Sequence, residues 1–237
     1  YATGFDIASA LMSRAEAETA DADFGDLIGR WLLEMPRIGE YHKLAACFSS
    51  VGDLPSQWRS CARDGYAFAF DVAALEALTI PSDYILVACL YKRIEHEALC
   101  RTAVRDTISV YRRSVARGQT HDAAAMHAKH LFEILISDLM PQIEHEVFRD
   151  ACEYRLVSTT PLKFRPGDHL RSRSRHGLEI PYEAVSFRAK GGNSALREVM
   201  IAPGADYELA KADLESVLDG AGHPNVEITR SAIAPLF

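Results

Sequence analysis

The sequence predicts an α+β fold in a single domain spanning residues 1–237, built on a mixed β-sheet with a helical insert at about residues 93–150. Apolar and alternating runs that are typical of strands lie on both sides of this helical stretch. The C-terminal third has the strand–helix–strand order of a β-α-β unit, which joins parallel strands. No linker rich in glycine, proline or serine divides the chain, and 237 residues suit one large domain.

Composition and charge exclude several classes of protein. Hydrophobic residues make up 48% and charged residues 25%, as in globular chains and unlike disordered, collagenous or coiled-coil ones. The longest apolar run has eight residues, whereas a membrane-spanning helix needs about 20, so we expect no membrane partner. A net charge of −7 argues against a protein that coats nucleic acid over a whole face, but a local basic patch is compatible with it.

The cysteines bear on the cellular compartment. They are five in number, widely spaced and without a C-x-x-C pair, which indicates free thiols in a reducing compartment. The chain begins at Tyr1 and shows no signal-peptide pattern. We therefore expect a cytoplasmic protein.

Five elements are predicted in the first third of the chain: helices at 5–18, 24–34 and 53–63, and strands at 44–49 and 66–71. The helical stretches contain good helix formers, and Pro55 is tolerated in the first turn of the third helix. The first strand, LAACFS, is a short apolar run. The second, YAFAFD, follows Gly65 and alternates aromatic with small residues, which is a strand pattern.

The middle of the chain contains the strongest strand and helix signals. Residues 84–91, YILVACLY, are uniformly apolar and predict a central strand buried on both faces. Apolar residues at helical spacing then predict helices over 93–117 and 122–139. A further helical piece at 142–150 leads into a strand at 152–158.

The last third is richer in strands. Its cluster of arginines and Lys163 predicts an exposed basic loop over residues 163–177. Four elements follow: strands at 182–187, 197–201 and 225–229, and a helix at 207–219. The helix lies between the last two strands, with Asp206 as its N-cap, and completes the β-α-β unit.

Several patterns carry only weak functional signals. His127 and His130 share a helical face with a glutamate one turn further on, but this spacing is more typical of surface histidines, so no metal site is predicted. The basic run 163–175 either contacts phosphates or is a solvated loop, and the acidic chain favours the loop. A metal-dependent nuclease that uses both features is the weakest hypothesis. The Glu-His-Glu triplets at 95–97 and 144–146 are interpreted as solvated.

The segment 47–71 is the first of two that can carry chemistry. Its first strand ends at Ser49, and the following helix presents Gln57, Trp58 and Arg59. Trp58 beside Arg59 offers a stacking surface and a planar cation for a phosphate or carboxylate. The alternative is that Trp58 is a core anchor and Arg59 a partner in a surface ion pair.

The second segment is 148–157, FRDACEYRLV. On a strand, Glu153 and Arg155 point to the same face because they are two residues apart. The two side chains either line a site or pair with each other on an edge strand. The residues alone leave both interpretations open.

An ordered set of short motifs connects these segments with the rest of the chain. It consists of Cys47-Phe48-Ser49, Asp53, Ser56-Gln57-Trp58-Arg59, Gly65, Phe70-Asp71, Phe148, Glu153-Tyr154-Arg155, Ile180-Pro181-Tyr182, Ala202-Pro203, Ser231 and Pro235. Over most of residues 42–237 this set resembles the bacterial family known as domain of unknown function twenty-nine seventy-one. Each motif alone is weak, whereas the order is fairly specific. The family's opening His-Tyr-Thr strand is not visible, so it either lies before Tyr1 or has been lost.

The order of the motifs is in turn similar to that of ADP-ribosyltransferases, in which a Ser-bearing strand precedes a Glu-bearing strand. This similarity implies an NAD-consuming toxin or phage-defence effector that cleaves the nicotinamide–ribose bond. Glu153 is implied to stabilise the oxocarbenium-like transition state, and Ser49 to position the nicotinamide ribose. The implied partners are a macromolecular acceptor, protein or nucleic acid, and a protein from the same operon. The residues implied to bind NAD are Gln57, Trp58, Arg59 and Arg155.

Departures from the family pattern support a second class of function. Ala151 replaces a glutamate that helps to activate the acceptor in arginine-modifying transferases, which argues against arginine modification. Cys61, Glu144 and Ala202 replace a usual aromatic residue, lysine and glycine. The alternative is therefore a catalytically silent nucleotide- or protein-binding module of the same fold.

Overall fold

The computed structural model describes residues 22–34, 43–62, 64–79, 83–165, 167, 170–175, 177–188 and 194–234. It has the predicted α+β class, with helices and mixed β-sheets. The helix predicted at 5–18 lies outside these residues. None of the helices that the structure describes is both long and apolar enough to cross a membrane.

Six α-helices and eight strands are described. The helices are α1 (Ala22–Glu34), α2 (Pro55–Cys61), α3 (Val72–Thr79), α4 (Arg93–Ala116), α5 (His121–Leu139) and α6 (Tyr207–Gly220). The strands are β1 (Ala45–Ser49), β2 (Tyr66–Phe70), β3 (Tyr84–Ala88), β4 (Glu153–Ser158), β5 (Arg171–Arg175), β6 (Leu178–Tyr182), β7 (Leu196–Ile201) and β8 (Glu227–Arg230). Short 3₁₀ turns span Met140–Gln142, Glu146–Ala151 and Leu162–Phe164.

The α-helices α1, α2, α4, α5 and α6 are confirmed, with ends shifted by at most a few residues. The helical piece predicted at 142–150 consists of 3₁₀ turns rather than an α-helix. Helix α3 is absent from the sequence prediction, although it has a capping signal. The Asp71 side chain accepts a hydrogen bond from the Ala74 N–H at 2.8 Å, as an N-cap does.

The described chain forms two compact units. The first comprises the described parts of Tyr1–Phe48 and Leu86–Glu183, and the second the described parts of Ser49–Ile85 and Ala184–Phe237. Each unit therefore contains two separate segments of the chain. The prediction that residues 1–237 form one domain stays a prediction.

Helices α4 and α5 form the predicted helical insert of the first unit. Gly118, whose φ of +81° favours glycine, lies in the turn between them. The Thr120 side chain caps α5 by accepting a hydrogen bond from the Ala123 N–H at 3.3 Å. The two helices pack against each other, and α5 also packs against α1. Their shared core includes Ile28, Trp31, Cys100, Val104, Phe132 and Ile136.

Strand β4 lies at the centre of the three-stranded sheet β1-β4-β3. The Ser158 N–H donates to the Leu44 carbonyl at 2.9 Å, and Cys47 hydrogen-bonds Glu153. Residue numbers thus rise along β1 as they fall along β4, so the two strands run in opposite directions. The last four residues of β4 are buried, which makes this strand the core of the sheet.

The prediction that residues 84–91 form a central strand is wrong. Within the described sheet β3 lies at an edge, and Ile85 is 43% exposed. A uniformly apolar run indicates burial but does not determine strand order. The central place belongs to β4, where Arg155 is buried because other side chains neutralise it.

The second unit contains the sheet β2-β7-β8. Strand β2 pairs antiparallel with β7, and β7 pairs in parallel with β8. Helix α6 connects the parallel strands and packs against both, which confirms the β-α-β unit. Asp206 caps α6 as predicted, accepting a hydrogen bond from the Leu209 N–H at 3.2 Å. The core of this unit consists of Val199, Ile201, Ala210, Leu214 and Leu218.

The predicted basic loop over 163–177 contains a β-hairpin. Strands β5 and β6 pair antiparallel, and Gly177 lies in the turn between them at a φ of +76°. Strand β6 ends at Tyr182, so the prediction of a strand at 182–187 is wrong. The RSRSR sequence of β5 has the period of two that marks a strand, but its charge led to the prediction of a loop.

Candidate functional site

Arg155 is the centre of a charged cluster in the first unit. Its Nε donates to Glu153 Oε1 at 2.7 Å, its Nη1 to the Pro141 carbonyl at 3.0 Å, and its Nη2 to Glu144 Oε2. The side chains of Arg155, Glu153 and Glu144 are 9%, 17% and 15% exposed. Charges buried to this degree need partners, and two carboxylates around one guanidinium supply them.

Glu153 is held as an ionised carboxylate. Burial alone would raise the pKa of its carboxyl group, but hydrogen bonds from Arg155 and Cys47 and the charge of Arg155 lower the pKa below its usual range. Burial alone would lower the pKa of Arg155, and the hydrogen bonds to Glu153 and Glu144 raise it instead. Both groups therefore keep their charges at neutral pH, and the carboxylate is fixed in position.

Two thiols lie beside Glu153. Cys47 on β1 hydrogen-bonds its carboxylate, and the Cys89 N–H, just after β3, donates to its carbonyl at 2.9 Å. Burial and the neighbouring carboxylate raise the pKa of Cys47 to about 11. Burial raises the pKa of Cys89 to about 12. Both thiols are protonated at neutral pH, so neither is suited to act as a nucleophile.

A cleft of about 260 Å³ lies next to this cluster. Its walls include Cys89 and Tyr91, and the Tyr91 hydroxyl accepts a hydrogen bond from the Glu153 N–H at 2.7 Å. The remaining lining is polar and of mixed charge: Lys92, Glu95, Glu146 and Arg149, with Leu90. This volume is just below the ~300–1,000 Å³ of most small-molecule sites.

A second polar network lies in the second unit, around Asp53. Its Oδ1 accepts hydrogen bonds from Trp58 Nε1 at 2.6 Å and from the Ser231 hydroxyl at 2.7 Å. Its Oδ2 accepts from the Ala232 N–H at 2.7 Å. Burial alone would raise the pKa of Asp53, but these hydrogen bonds lower it below its usual range. Asp53 thus ties the start of α2 to the segment after β8.

Trp58 is a core anchor, which was the alternative interpretation of this residue. Its side chain is buried, at 2% exposure, and its indole N–H is used by Asp53. The ring therefore offers no open face for stacking in this structure, and the cofactor-binding role predicted for Trp58 is not supported by its placement. Arg59, by contrast, is exposed in the last turn of α2.

The other predicted site residues occupy defined local positions. Ser49 ends β1, and its hydroxyl donates to the Val51 carbonyl at 2.8 Å while accepting from the Val51 N–H at 3.0 Å. Gln57 lies half-buried on α2. Of the predicted site residues, the structure joins Glu153 with Arg155 in an ion pair. The roles of Ser49, Gln57 and Arg59 stay predictions.

The sequence does not assign three members of these hydrogen-bond networks to a site: Glu144, Cys47 and Ser231. The triplet at 144–146 was expected to be solvated, yet Glu144 is largely buried against Arg155. The prediction that the triplet at 95–97 is solvated is also wrong for its histidine, because His96 is 3% exposed and its Nε2 contacts the Leu90 carbonyl at 2.6 Å. A signal was available for Cys47 and Ser231, since both belong to the ordered motif set.

The histidines on α5 behave as surface residues. His127 Nδ1 contacts Gln119 Oε1 at 3.1 Å, and His130 is exposed. Among the residues that the structure describes, no three histidine, cysteine, aspartate or glutamate side chains are arranged to hold a metal ion. The nuclease hypothesis therefore receives no support from α5.

Comparison with known proteins identifies no relative of this chain. The chain matches no protein-family model, no curated protein and no solved structure. The resemblance to domain of unknown function twenty-nine seventy-one and to ADP-ribosyltransferases stays a prediction that rests on the motif residues.

Proposed function

We propose that the chain is an NAD-consuming enzyme of the ADP-ribosyltransferase type, acting as a toxin or phage-defence effector. In this proposal Glu153 stabilises positive charge that develops on the ribose when the nicotinamide leaves. Ser49, at the end of β1, positions the nicotinamide ribose. Arg155 holds Glu153 in place.

The observation that carries the proposal is the ionised, immobilised Glu153 at the first position of the central strand β4. The Ser-bearing strand β1 is the neighbour of this strand, as the motif order of ADP-ribosyltransferases leads one to expect. A carboxylate fixed in advance of the reaction stabilises a developing cation without reorganising, which is the largest catalytic effect in many enzymes. The adjoining cleft is connected to Glu153 through Tyr91, whose hydroxyl accepts a hydrogen bond from the Glu153 N–H.

The proposed reaction breaks the bond between the nicotinamide nitrogen and C1 of the ribose. The bonding electron pair leaves with nicotinamide, and C1 becomes oxocarbenium-like. An acceptor oxygen or nitrogen, from water or a macromolecule, then forms the new bond to C1 and loses a proton. Glu153 acts electrostatically on the transition state and is unchanged at the end.

The competing function is the catalytically silent nucleotide- or protein-binding module. It is favoured by the pairing of Glu153 with Arg155, which offsets part of the negative charge that the reaction requires. Ala151 also favours the silent binding module, because it replaces the glutamate that activates the acceptor in arginine-modifying transferases. The two functions differ in a single measurable property, the turnover of NAD.

Nicotinamide release distinguishes these functions. The purified protein is incubated with NAD, with and without cell lysate as a source of acceptor, and released nicotinamide is quantified by chromatography. We expect release by the wild type and a loss of about 100-fold or more in Glu153→Gln, because the variant removes the stabilising charge. Asp150→Asn is the matched control, since this exposed carboxylate lies three residues away and contacts neither Arg155 nor Cys47 in the structure.

Circular dichroism and thermal unfolding of both variants separate catalytic loss from unfolding. Full activity in a folded Glu153→Gln variant would overturn the role of Glu153. No release by the wild type under either condition would favour the binding module, and NAD binding measured by calorimetry would then be the next observation.

A further inference from the structure

The β5–β6 hairpin segregates its side chains onto two different faces. In the antiparallel register, Arg171 lies opposite Tyr182, Arg173 opposite Ile180, and Arg175 opposite Leu178. Directly opposed residues of an antiparallel pair share a face, so three arginines and three apolar or aromatic side chains lie together. The other face carries Ser172, Ser174, Glu179 and Pro181.

None of the described hairpin residues on the arginine-bearing face carries a negative charge. All five residues of β5 are exposed, and none of its three arginines forms an ion pair with a described residue. The nearest hairpin carboxylate, Glu179, lies on the opposite face and accepts a hydrogen bond from the Ser172 hydroxyl. The Arg173 guanidinium lies 5.9 Å from the centre of the Tyr182 ring, within cation–π range.

This lack of neutralisation distinguishes the hairpin from several other arginines of the first unit, which have carboxylate partners. Arg165, just before it, is buried against Glu183, and Arg93 pairs with Glu97 at 2.9 Å. Successive arginines of β5 are about 7 Å apart, because a strand advances about 3.4 Å per residue. Three like charges at this spacing repel one another, and a polyanion laid along the strand would remove that repulsion.

We propose that this face of the β5–β6 hairpin binds single-stranded nucleic acid. The arginines contact successive phosphates, and Tyr182 with Ile180 receives unstacked bases. A duplex keeps its base faces stacked inside and could use only the arginines, so the mixed arginine and apolar surface favours a single strand. This inference goes beyond the proposed NAD chemistry and does not depend on it, because binding is measured without NAD.

Fluorescence anisotropy of the whole chain with labelled oligonucleotides of about 20 nucleotides tests the proposal. The probes are a mixed-sequence single strand, the duplex of the same sequence, and the single strand in competition with polyglutamate. We expect the single strand to bind at least 10-fold more tightly than the duplex. We also expect polyglutamate not to displace the bound single strand. The triple variant Arg171→Gln, Arg173→Gln, Arg175→Gln should bind the single strand at least 10-fold more weakly. The slope of its log binding constant against log salt concentration should be about 2 units less negative than that of the wild type.

A charge-matched control uses the exposed arginines of α4 and its C-cap: Arg105→Gln, Arg113→Gln, Arg117→Gln. This variant has the same net charge and should lose less than twofold. Tyr182→Ser should weaken binding while Tyr182→Phe retains it, which tests stacking separately from charge. Equal losses in the two triple variants, equal binding of duplex and single strand, or full competition by polyglutamate would each overturn the proposal, as would no binding by the wild type.

Discussion

Asp53 and Ser231 are 178 positions apart in the sequence, yet the Ser231 hydroxyl donates a hydrogen bond to Asp53 Oδ1 at 2.7 Å. The same oxygen accepts from the indole of Trp58. All three residues belong to the ordered motif set noted in the sequence. Their arrangement indicates that part of this set maintains the fold of the second unit rather than contacting a substrate.

Asp53→Asn should destabilise the protein. The asparagine amide has only one acceptor oxygen, whereas both oxygens of Asp53 accept hydrogen bonds. In one orientation the NH₂ group of the amide faces the Ala232 N–H, and in the other it faces the donors of Trp58 and Ser231. We expect a loss of about 1–2 kcal/mol in the free energy of unfolding, at the lower end for hydrogen bonds to a charged group because Asp53 is partly exposed. Urea denaturation measures this, with the exposed Asp64→Asn as control. Equal stability of the two variants would contradict a structural role for Asp53.

Acid should weaken the protein through Asp53 and Glu153. Folding lowers the pKa of both carboxyl groups from ordinary values of 3.8 and 4.5, so the unfolded chain binds their protons more tightly. Their stabilisation is present above about pH 5 and is lost as the pH falls through 4.5 and 3.8 towards the native values. Urea unfolding at pH 7, 5 and 3 should show a smaller pH dependence for Asp53→Asn than for wild type. Parallel pH curves would exclude a contribution from Asp53.

Arg155→Met should be among the most destabilising single changes in the first unit. It leaves the Glu153 and Glu144 carboxylates largely buried and without their shared cation. Removing one partner from a buried ion pair costs about 3–5 kcal/mol. Arg155→Lys should cost less, because it keeps the charge but not the planar geometry that reaches three acceptors.

Arg149→Met is the control for Arg155→Met. Its side chain is 66% exposed, so we expect a change within about 0.5 kcal/mol. Chemical denaturation of the three variants at neutral pH provides the comparison. An Arg155→Met variant as stable as the Arg149→Met variant would show that the cluster contributes no net stability.

Cys47 should react slowly with alkylating reagents although it is exposed. Its thiol is nevertheless partly buried, and this partial burial together with the Glu153 carboxylate raises its pKa to about 11, so little thiolate is present at pH 8.5. Glu153→Gln should lower the pKa of Cys47 and speed its labelling by iodoacetamide several-fold. Mass spectrometry of labelled peptides gives the rate, and the exposed Cys61 serves as the internal reference. An unchanged Cys47 rate relative to Cys61 would contradict their coupling.

Local sequence patterns predicted the helices better than the sheets. The periodicity of α5 and the Asp206 cap of α6 are properties of adjacent residues, so their helices could be placed closely. Strand order depends on which distant segments pair, and the apolar run 84–91 contains no information on its neighbours. Strand β5 of the hairpin was not predicted as a strand. Its many arginines indicated an exposed loop more strongly than the alternation of arginine and serine indicated a strand.

The charged cluster shows the same division between local and distant information. The Glu153–Arg155 pair follows from their spacing on a strand, and the structure confirms that they share a face. Glu144 could not be assigned to the cluster, since its position depends on how the 3₁₀ turns before β4 lead the chain back to Arg155. Trp58 was ambiguous because its neighbour sequence is equally compatible with a surface and a core position.

The pairing of β2 with β7 has a consequence for synthesis on the ribosome. Residues 66–70 are synthesised before their partner at 196–201, and the 125 residues of the segment 71–195 are synthesised between the two. Until then β2, with Phe68 and its aromatic neighbours, has unsatisfied backbone groups and exposed apolar surface, a state prone to aggregation. The nascent protein therefore passes through a long interval in which its second unit cannot close, and a chaperone that shields YAFAF during translation would raise the yield of folded chains.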